Sequence, residues 1–316
     1  MRLFTSPEEI PAGLPPVAVA IGKFDGLHVG HHAVLEILER EAAARGLPAV
    51  VVTFDRNPLA VIRPEACPDQ LVSNEQKVEL LAAEGVDATL MLTFDEALAS
   101  VPAREWAEGL LVEGLQAQVV ICGRDFRFGH RAQGDVELLG ELGAERGFDV
   151  IPVDDVRGAG ERRISSTWIR ELLDEGRVRE AAQVLGRPHV VRSVVVHGEH
   201  RGRELGFPTA NLDMALAEGF IPAEGIYATW AVVDGVRYAA ATSIGDNPTF
   251  DDVDSVRVEA HLLDADINAY GRTIELEFVD WIRPMLRFDG VDELIDRLAD
   301  DVEQTRRILA AEEGRS

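Results

Sequence analysis

Cysteine is nearly missing from this 316-residue chain, with Cys67 and Cys122 the only two. Two thiols cannot build a disulfide scaffold or a four-thiolate metal site, and a cytoplasmic protein is expected. No run approaches the roughly 18 apolar residues that a membrane-spanning helix needs. The first residues lack a basic stretch followed by an apolar one, so no secretory signal is expected. Lysine is just as scarce, Lys23 and Lys77 being the only two, and nearly all basic side chains are arginine. Positive charge as a whole is short, 31 Lys+Arg against 56 Asp+Glu, for a net charge of −25. The acidic excess is spread over both halves, with no basic tail or stripe. Such a chain repels a phosphate backbone, so neither nucleic acid nor a membrane is an expected partner. The acidity reads as plain solubility, with adaptation to salt as the other reading. Internal repeats and low-complexity stretches are also absent.

What is present is an ordinary globular composition, 46% hydrophobic and 28% charged. The length suits about two domains of roughly 150 residues, each able to bury its own core. The first half alternates in period. Val17–Gly22, Ala49–Phe54, Ala88–Leu92, Val119–Cys122 and Phe148–Val153 read as strands. Between them, His31–Arg45, Ser73–Glu84, Pro102 to about Glu113 and Asp135–Arg146 read as helices, with Ser73 and Gln76 fitting a capping box. Strands alternating with helices predict a parallel sheet covered on both faces. After about Leu185 the rhythm changes. Val190–His197, Ile226–Val233, Arg237–Ile244, Val256–Leu263 and Thr273–Asp280 read as strands with little helix between them, which predicts an antiparallel barrel. Asp234-Gly235 is a hairpin signal, and Val291 to about Ala310 reads as a closing helix striped by Leu294, Leu298, Val302 and Ile308. The expected boundary lies at Gly186-Arg187-Pro188, giving domains 1–186 and 187–316.

The first predicted strand runs into Gly22-Lys23-Phe24-Asp25-Gly26-Leu27-His28-Val29-Gly30-His31, where a helix begins. Glycines let backbone approach a ligand, and a helix N-terminus offers free N–H groups that suit phosphate. His28 and His31 can donate to phosphate oxygens, and the positive end of the helix dipole favours a neutral His31. A metal reading of the two histidines lacks a matching carboxylate or cysteine set. No Gly-Lys-Ser/Thr follows, so this is not a Walker loop. The string resembles the His-x-Gly-His signature of the nucleotidyltransferase superfamily, which joins a nucleotide α-phosphate to an acceptor and releases pyrophosphate. Ile164-Ser165-Ser166-Thr167-Trp168-Ile169-Arg170 resembles that superfamily's second signature. Ser and Thr at a helix start can cap it or hold phosphate, and Arg170 adds a bidentate donor.

Gly123-Arg124-Asp125-Phe126-Arg127-Phe128-Gly129 falls after a sheet strand, where parallel sheets bind ligands. It resembles a segment of the prokaryotic FAD synthetase family. Thr53-Phe54-Asp55-Arg56-Asn57-Pro58 resembles another, with Asn57 where many members carry His. The barrel half opens with Gly198, Gly202 and Arg203, a phosphate-facing loop, and then Gly206-Phe207-Pro208-Thr209-Ala210-Asn211. The Thr209 hydroxyl and Asn211 carbonyl are hard oxygen ligands suited to Mg²⁺, although from chemistry alone a glycine-rich hairpin with a Pro turn is the favoured reading. The run is close to a fingerprint of riboflavin kinases. Asn247-Pro248-Thr249-Phe250, the Glu259 strand, Tyr270-Gly271 and Arg283 continue that resemblance in order.

From about Val17 to Leu309 the chain is therefore similar to the bifunctional riboflavin kinase/FMN adenylyltransferase family of prokaryotes. The resemblance implies an α/β fold: a Rossmann-like nucleotidyltransferase domain with a parallel sheet, followed by an antiparallel β-barrel kinase domain with a terminal helix. It implies ATP as co-substrate, Mg²⁺, and riboflavin, FMN and FAD as substrates and products. It implies that Gly22, Phe24, Asp25, Gly26, His28, Gly30, His31, Asp125, Ser165, Ser166, Thr167 and Arg170 bind ATP in the first domain, and that Asn57, Phe126 and Phe128 bind FMN. In the second it implies that Gly198, Gly202, Arg203, Gly206, Phe207, Pro208, Thr209, Asn211, Asn247 and Arg283 bind ATP or flavin, with Thr209 and Asn211 on the metal. His28, His31 and the general base Glu259 would be the catalytic residues. Two other readings stay open on the residues alone: a nucleotidyltransferase of another acceptor with an appended barrel, and a non-catalytic flavin-binding protein. The sequence leaves the oligomeric state open.

Overall fold

The computed structural model describes residues 1–11, 13–198, 205–246, 256–288 and 290–314, and they divide into two compact units, Met1–Ser166 and Thr167–Ser316. Three expected site residues, Gly202, Arg203 and Asn247, lie outside the described residues.

The first unit is built on a six-stranded parallel sheet in the order β1-β4-β3-β2-β5-β6. Its strands are β1 Arg2–Phe4, β2 Val17–Ile21, β3 Ala49–Phe54, β4 Ala88–Leu92, β5 Ala117–Gly123 and β6 Asp149–Val153. The residues of β2 show why both faces must be covered. Val17, Val19 and Ile21 enter one core and Ala18 and Ala20 the other, as a strand's period of two dictates. Helix α1, Val29–Arg45, closes the second face with Val34, Leu35 and Leu38. Four further helices follow in chain order: α2 Leu59–Ile62, α3 Asn74–Ala83, α4 Glu96–Ser100 and α5 Ala103–Ala107. Leu81 of α3 joins α1 on the second face. The first face is closed by Trp106, by Leu110 and Leu111 in a widened turn at Glu108–Gly114, and by Leu139 and Leu142 of α6, Val136–Arg146. The expected helix from Pro102 thus ends as a π-helical turn, with the Leu115 N–H bonded to the Leu110 carbonyl.

The sheet order positions the first site. From central β2 the chain crosses to β3 and β4 on one side, then returns to β5 on the other. The crevice at the carboxyl ends of β2 and β5 is therefore the topological switch point, where open α/β sheets take their ligands. The Gly22–His31 loop leaves β2 there and the Gly123–Gly129 loop leaves β5.

The second unit begins with α7 Ser166–Asp174, whose first residue belongs to the first unit, and α8 Val178–Leu185. Six strands then close a barrel in the order β10-β11-β8-β7-β12-β9. They are β7 His189–Val196, β8 Ala210–Leu212, β9 Gly225–Val233, β10 Val236–Asp246, β11 Val256–Leu262 and β12 Thr273–Arg283. Every pairing in it is antiparallel. The Asp234-Gly235 signal is realised as a two-residue turn with both residues left-handed, φ 50° and 76°. β7 alternates buried and half-exposed positions, whereas β9 is buried on both faces. The reason is helix α9, Val291–Glu313, whose Leu309 packs on Ala228, Trp230 and Val279 outside the barrel. The Trp230 indole N–H donates to Glu312 of the same helix at 2.8 Å.

Candidate active sites

The chain leaves β2 through a strained turn. Phe24, Gly26 and Leu27 all have left-handed φ, 48°, 83° and 43°. Left-handed backbone costs a non-glycine residue about 1 kcal/mol, and here Phe24 and Leu27 are each held by burial to 1% exposure. The turn delivers His28 to the N-cap of α1. Its Nδ1 accepts the His31 N–H, and the His31 Nδ1 accepts the His28 N–H, both at 3.3 Å. The two rings stack at 3.6 Å and 10°. A ring nitrogen that accepts a backbone N–H carries no proton, so both imidazoles must hold theirs on Nε2. The reciprocal cap leaves two neutral Nε2–H donors at a helix N-terminus, an arrangement that suits phosphate oxygens. Burial is the main force holding His31 well below the ordinary histidine value, and the basic side chains around it, His28, His32, Lys23 and Lys77, act in the same direction. Among the described residues no group of three or more His, Cys, Asp or Glu could hold a metal ion.

Of the other expected residues, Ser166 and Asp25 meet at this turn. The Ser166 hydroxyl donates to the Asp25 carbonyl at 2.8 Å, and the Asp25 carboxylate accepts the Leu71 N–H at 2.9 Å. Thr167 and Arg170 fall in the second unit, with Arg170 buried. Asn57 is half-buried, and its amide oxygen accepts the Leu59 N–H, so it starts α2. Lys77 is a residue the sequence did not single out for the site. Only 3% exposed, it donates from Nζ to the Phe54 carbonyl at the end of β3, at 2.9 Å. Its rarity and its place in the first turn of α3, after the Ser73–Gln76 capping box, were the available signals.

After β5, Asp125 is exposed and paired with Arg163, which also reaches Asp155. Phe126 and Phe128 stack at 5.5 Å, and the Trp106 ring lies 5.2 Å from Phe128. Phe128 is in the core at 6% exposure, so it backs Phe126, which is the accessible member. Gly129, φ 72°, must be glycine: a Cβ there would lie 2.3 Å from the Ala103 Cα.

The barrel opens into a cavity of about 880 Å³, lined among others by Gly198, Phe207, Thr209, Asn211 and Glu259. β8 and β11 pair Asn211 with Glu259. The Thr209 hydroxyl donates to Glu259 at 3.1 Å and accepts from the Asn211 amide at 3.4 Å. Gly198 lies against that amide so closely that a Cβ would come within 2.4 Å of it. Phe207 meets the His261 ring edge-on at 5.5 Å, and His261 bonds the Pro208 carbonyl. Gly206 has a left-handed φ of 87° in the preceding turn. Arg283 is committed elsewhere. Only 6% exposed, it grips Asp301 of α9 with three hydrogen bonds of 2.9, 3.1 and 2.6 Å, and Asp301 rather than Arg283 lines the cavity.

Residues 11–168 match the FAD synthetase family and residues 185–309 the riboflavin kinase family. The class is thus a two-part transferase. A bifunctional riboflavin kinase/FMN adenylyltransferase of Listeria monocytogenes is 35% identical over 295 residues, covering 92% of both chains. One of Escherichia coli is 36% identical, covering 90% of both. The chain belongs to the bifunctional riboflavin kinase/FMN adenylyltransferase family. A crystal structure described as a macrolide-efflux protein from Streptococcus pneumoniae matches with a TM-score of 0.86 at 33% identity, covering 96% of this chain and 98% of that one. Among the described residues no helix is long and apolar enough to cross a membrane.

Proposed function

We propose that the family's two reactions divide between domains 1–186 and 187–316. The barrel phosphorylates riboflavin to FMN with ATP, and the α/β domain transfers AMP from ATP to FMN, giving FAD and pyrophosphate. The observation that supports this reading is that described residues of each fingerprint contact one another within one unit, His28 with His31 in the first and Thr209 with Glu259 in the second.

In the barrel, Glu259 accepts the proton of the riboflavin 5′-hydroxyl as that oxygen attacks the γ-phosphorus, and the bond to the ADP oxygen breaks. Thr209 orients the carboxylate by donating to it. Thr209 and Asn211 offer neutral oxygen donors beside a carboxylate, a set that fits Mg²⁺, and they would hold it with the ATP phosphates. When bound, Mg²⁺ neutralises the phosphate charge. Gly198, Gly202, Arg203, Gly206 and Asn247 would line the nucleotide and flavin, and Arg283 acts from behind by fixing Asp301.

In the α/β domain an FMN phosphate oxygen attacks the ATP α-phosphorus and pyrophosphate leaves. No protein nucleophile is needed, because the phosphate is already ionised. The Nε2–H groups of His28 and His31 stabilise the charge that builds on the phosphate oxygens. Ser165, Ser166, Thr167 and Arg170 hold the departing pyrophosphate. Phe126, backed by Phe128, and Asn57 contact the flavin. In the same reading the enzyme works in the cytoplasm on small molecules, which its two free cysteines and its charge of −25 favour.

The test is a time course of the pure protein with riboflavin, ATP and Mg²⁺, the flavins being separated by chromatography. FMN should appear first and then give way to FAD. No FMN from riboflavin and no FAD from supplied FMN would refute the reading.

A further inference from the structure

β8 is the shortest strand of the barrel, three residues, and it carries Asn211. Its pairing with β11 covers only Ala210 and Asn211, opposite Ala260 and Glu259. Pro208 and Thr209 precede that ladder, and Pro208 has no N–H with which to extend it. β11 is better held. It pairs with β10 over seven residues, with His261 opposite Ala241. Two side chains of β11 reach the segment before β8. Glu259 accepts the Thr209 hydroxyl at 3.1 Å. His261 lies two residues further on, hence on the same face of the strand, and its Nδ1 bonds the Pro208 carbonyl at 2.8 Å. A carbonyl only accepts, so this Nδ1 carries its hydrogen. The Phe207 ring meets the His261 ring edge-on, at 5.5 Å and 68°. Phe207, Pro208 and Thr209 are thus fastened in succession to one strand by His261 and Glu259, and all five residues line the cavity.

We propose that His261 is a positioning residue of the phosphorylation site: its Nδ1–H holds the Pro208 carbonyl and thereby sets where the Thr209 hydroxyl lies against Glu259. The proposal rests on the reading of Thr209 and Glu259 given above. The carbonyl that His261 holds belongs to the planar peptide whose nitrogen is that of Thr209, so fixing it fixes the direction in which the Thr209 side chain leaves the backbone. The segment needs such an anchor. It starts at Gly206, φ 87°, the residue type with the least restrained backbone. The Thr209 hydroxyl is in turn a relay, accepting the Asn211 amide at 3.4 Å and donating to Glu259. A base must meet its proton at hydrogen-bond distance, and a misplacement of about 1 Å can cost about 10²-fold in rate. His261 therefore acts on the reaction through Thr209.

The test is riboflavin phosphorylation by the full chain, with kcat and the riboflavin KM measured separately and denaturant unfolding of the barrel followed in parallel. His261→Phe keeps a ring against Phe207 but has no donor. It should lower kcat about tenfold and leave KM within about twofold. His261→Asn, whose Nδ2–H stands in for the Nδ1–H, should recover kcat to within about threefold of native. Thr209→Val leaves no hydroxyl to position, so adding His261→Phe to it should cost less than about twofold more. A folded His261→Phe chain with native kcat would overturn the proposal. So would equal losses in His261→Phe and His261→Asn, or the full loss repeated on top of Thr209→Val. Should His261→Phe not fold, ¹⁵N NMR of the native histidine rings decides: a hydrogen on the His261 Nδ1 is expected, and a bare Nδ1 overturns the proposal. A Glu259→Gln chain that phosphorylates riboflavin at the native rate would instead defeat the assignment of the site.

Discussion

In the proposed reactions the two units handle the same chemical group, a phosphoryl centre under attack by oxygen, with opposite means. The α/β unit uses fixed donors: backbone N–H groups at the start of α1 and two imidazoles whose tautomers are set by a reciprocal cap. Its proposed reaction needs no base, because the nucleophile arrives ionised. The barrel presents oxygens, Thr209, Asn211 and Glu259, on paired strands β8 and β11. Its nucleophile is a hydroxyl, so a carboxylate is required. The difference teaches that the protonation state of the acceptor, more than the phosphate itself, decides which side chains a phosphoryl-transfer site must carry.

The sharpest break of this comparison is Glu259→Gln. It keeps the size of the side chain and an acceptor for Thr209 but removes the base. Riboflavin phosphorylation should fall by about 10²- to 10⁴-fold, while FAD formation from supplied FMN is unchanged. Next is His28→Ala, which removes one donor and the helix cap. Adenylyl transfer should drop by about 10²-fold and phosphorylation stay intact, with about 1 kcal/mol lost from the α/β unit in denaturant unfolding.

A third prediction separates a structural histidine from the functional pair. His189, at the start of β7, is 2% exposed and bonds the Phe220 carbonyl through Nε2 at 2.6 Å. Burial pushes its value down from 6.5 to about 4. The folded barrel therefore resists a proton that the unfolded chain accepts. Its stability is full above pH 6.5 and declines as pH falls from 6.5 toward 4, by about 3 kcal/mol. Denaturant unfolding of the barrel at pH 7 and pH 4.5 should show this loss, and His189→Gln should flatten it. The smallest effect is expected of Asn57→His. The Asn57 amide oxygen is occupied with the Leu59 N–H, so a histidine there should change the adenylyl-transfer rate by no more than about threefold.

Much of the architecture was legible. β3 and β4 run as expected, Ala49–Phe54 and Ala88–Leu92, because a strand buried on both faces is an unbroken apolar run bounded by polar residues. Helix α1 starts at Val29, two residues before the expected His31, since His28 itself serves as the cap and periodicity sees only the apolar stripe. β1 and β8 were missed. Each has three residues, too few for a period to register, and β8 is hidden inside the Phe-Pro-Thr-Ala-Asn run. In α9 the stripe split in use: Leu294, Leu298 and Val302 line the cavity, whereas Ile308 packs with its neighbour Leu309 against Ala228, Trp230 and Val279.

At the sites, the motifs named His28, His31, Thr209 and Glu259, but not how they hold one another. The stacked rings depend on left-handed φ at Phe24 and Leu27, which no propensity predicts for those residue types. Arg283 and Phe128 show the reverse case. A motif places a residue near a site, but only packing reveals that one is held by Asp301 and the other sealed in the core. Lys77 was invisible for a related reason: a lysine in a helix reads as solvated until its surroundings are known.

The most direct test of two separate sites mixes two variants, Glu259→Gln and His31→Ala, in one tube with riboflavin, ATP and Mg²⁺. Neither alone should carry riboflavin to FAD. Together they should, because FMN made by the barrel of His31→Ala is consumed by the α/β unit of Glu259→Gln. A mixture that makes no FAD, although each variant still performs its remaining reaction, would contradict the account.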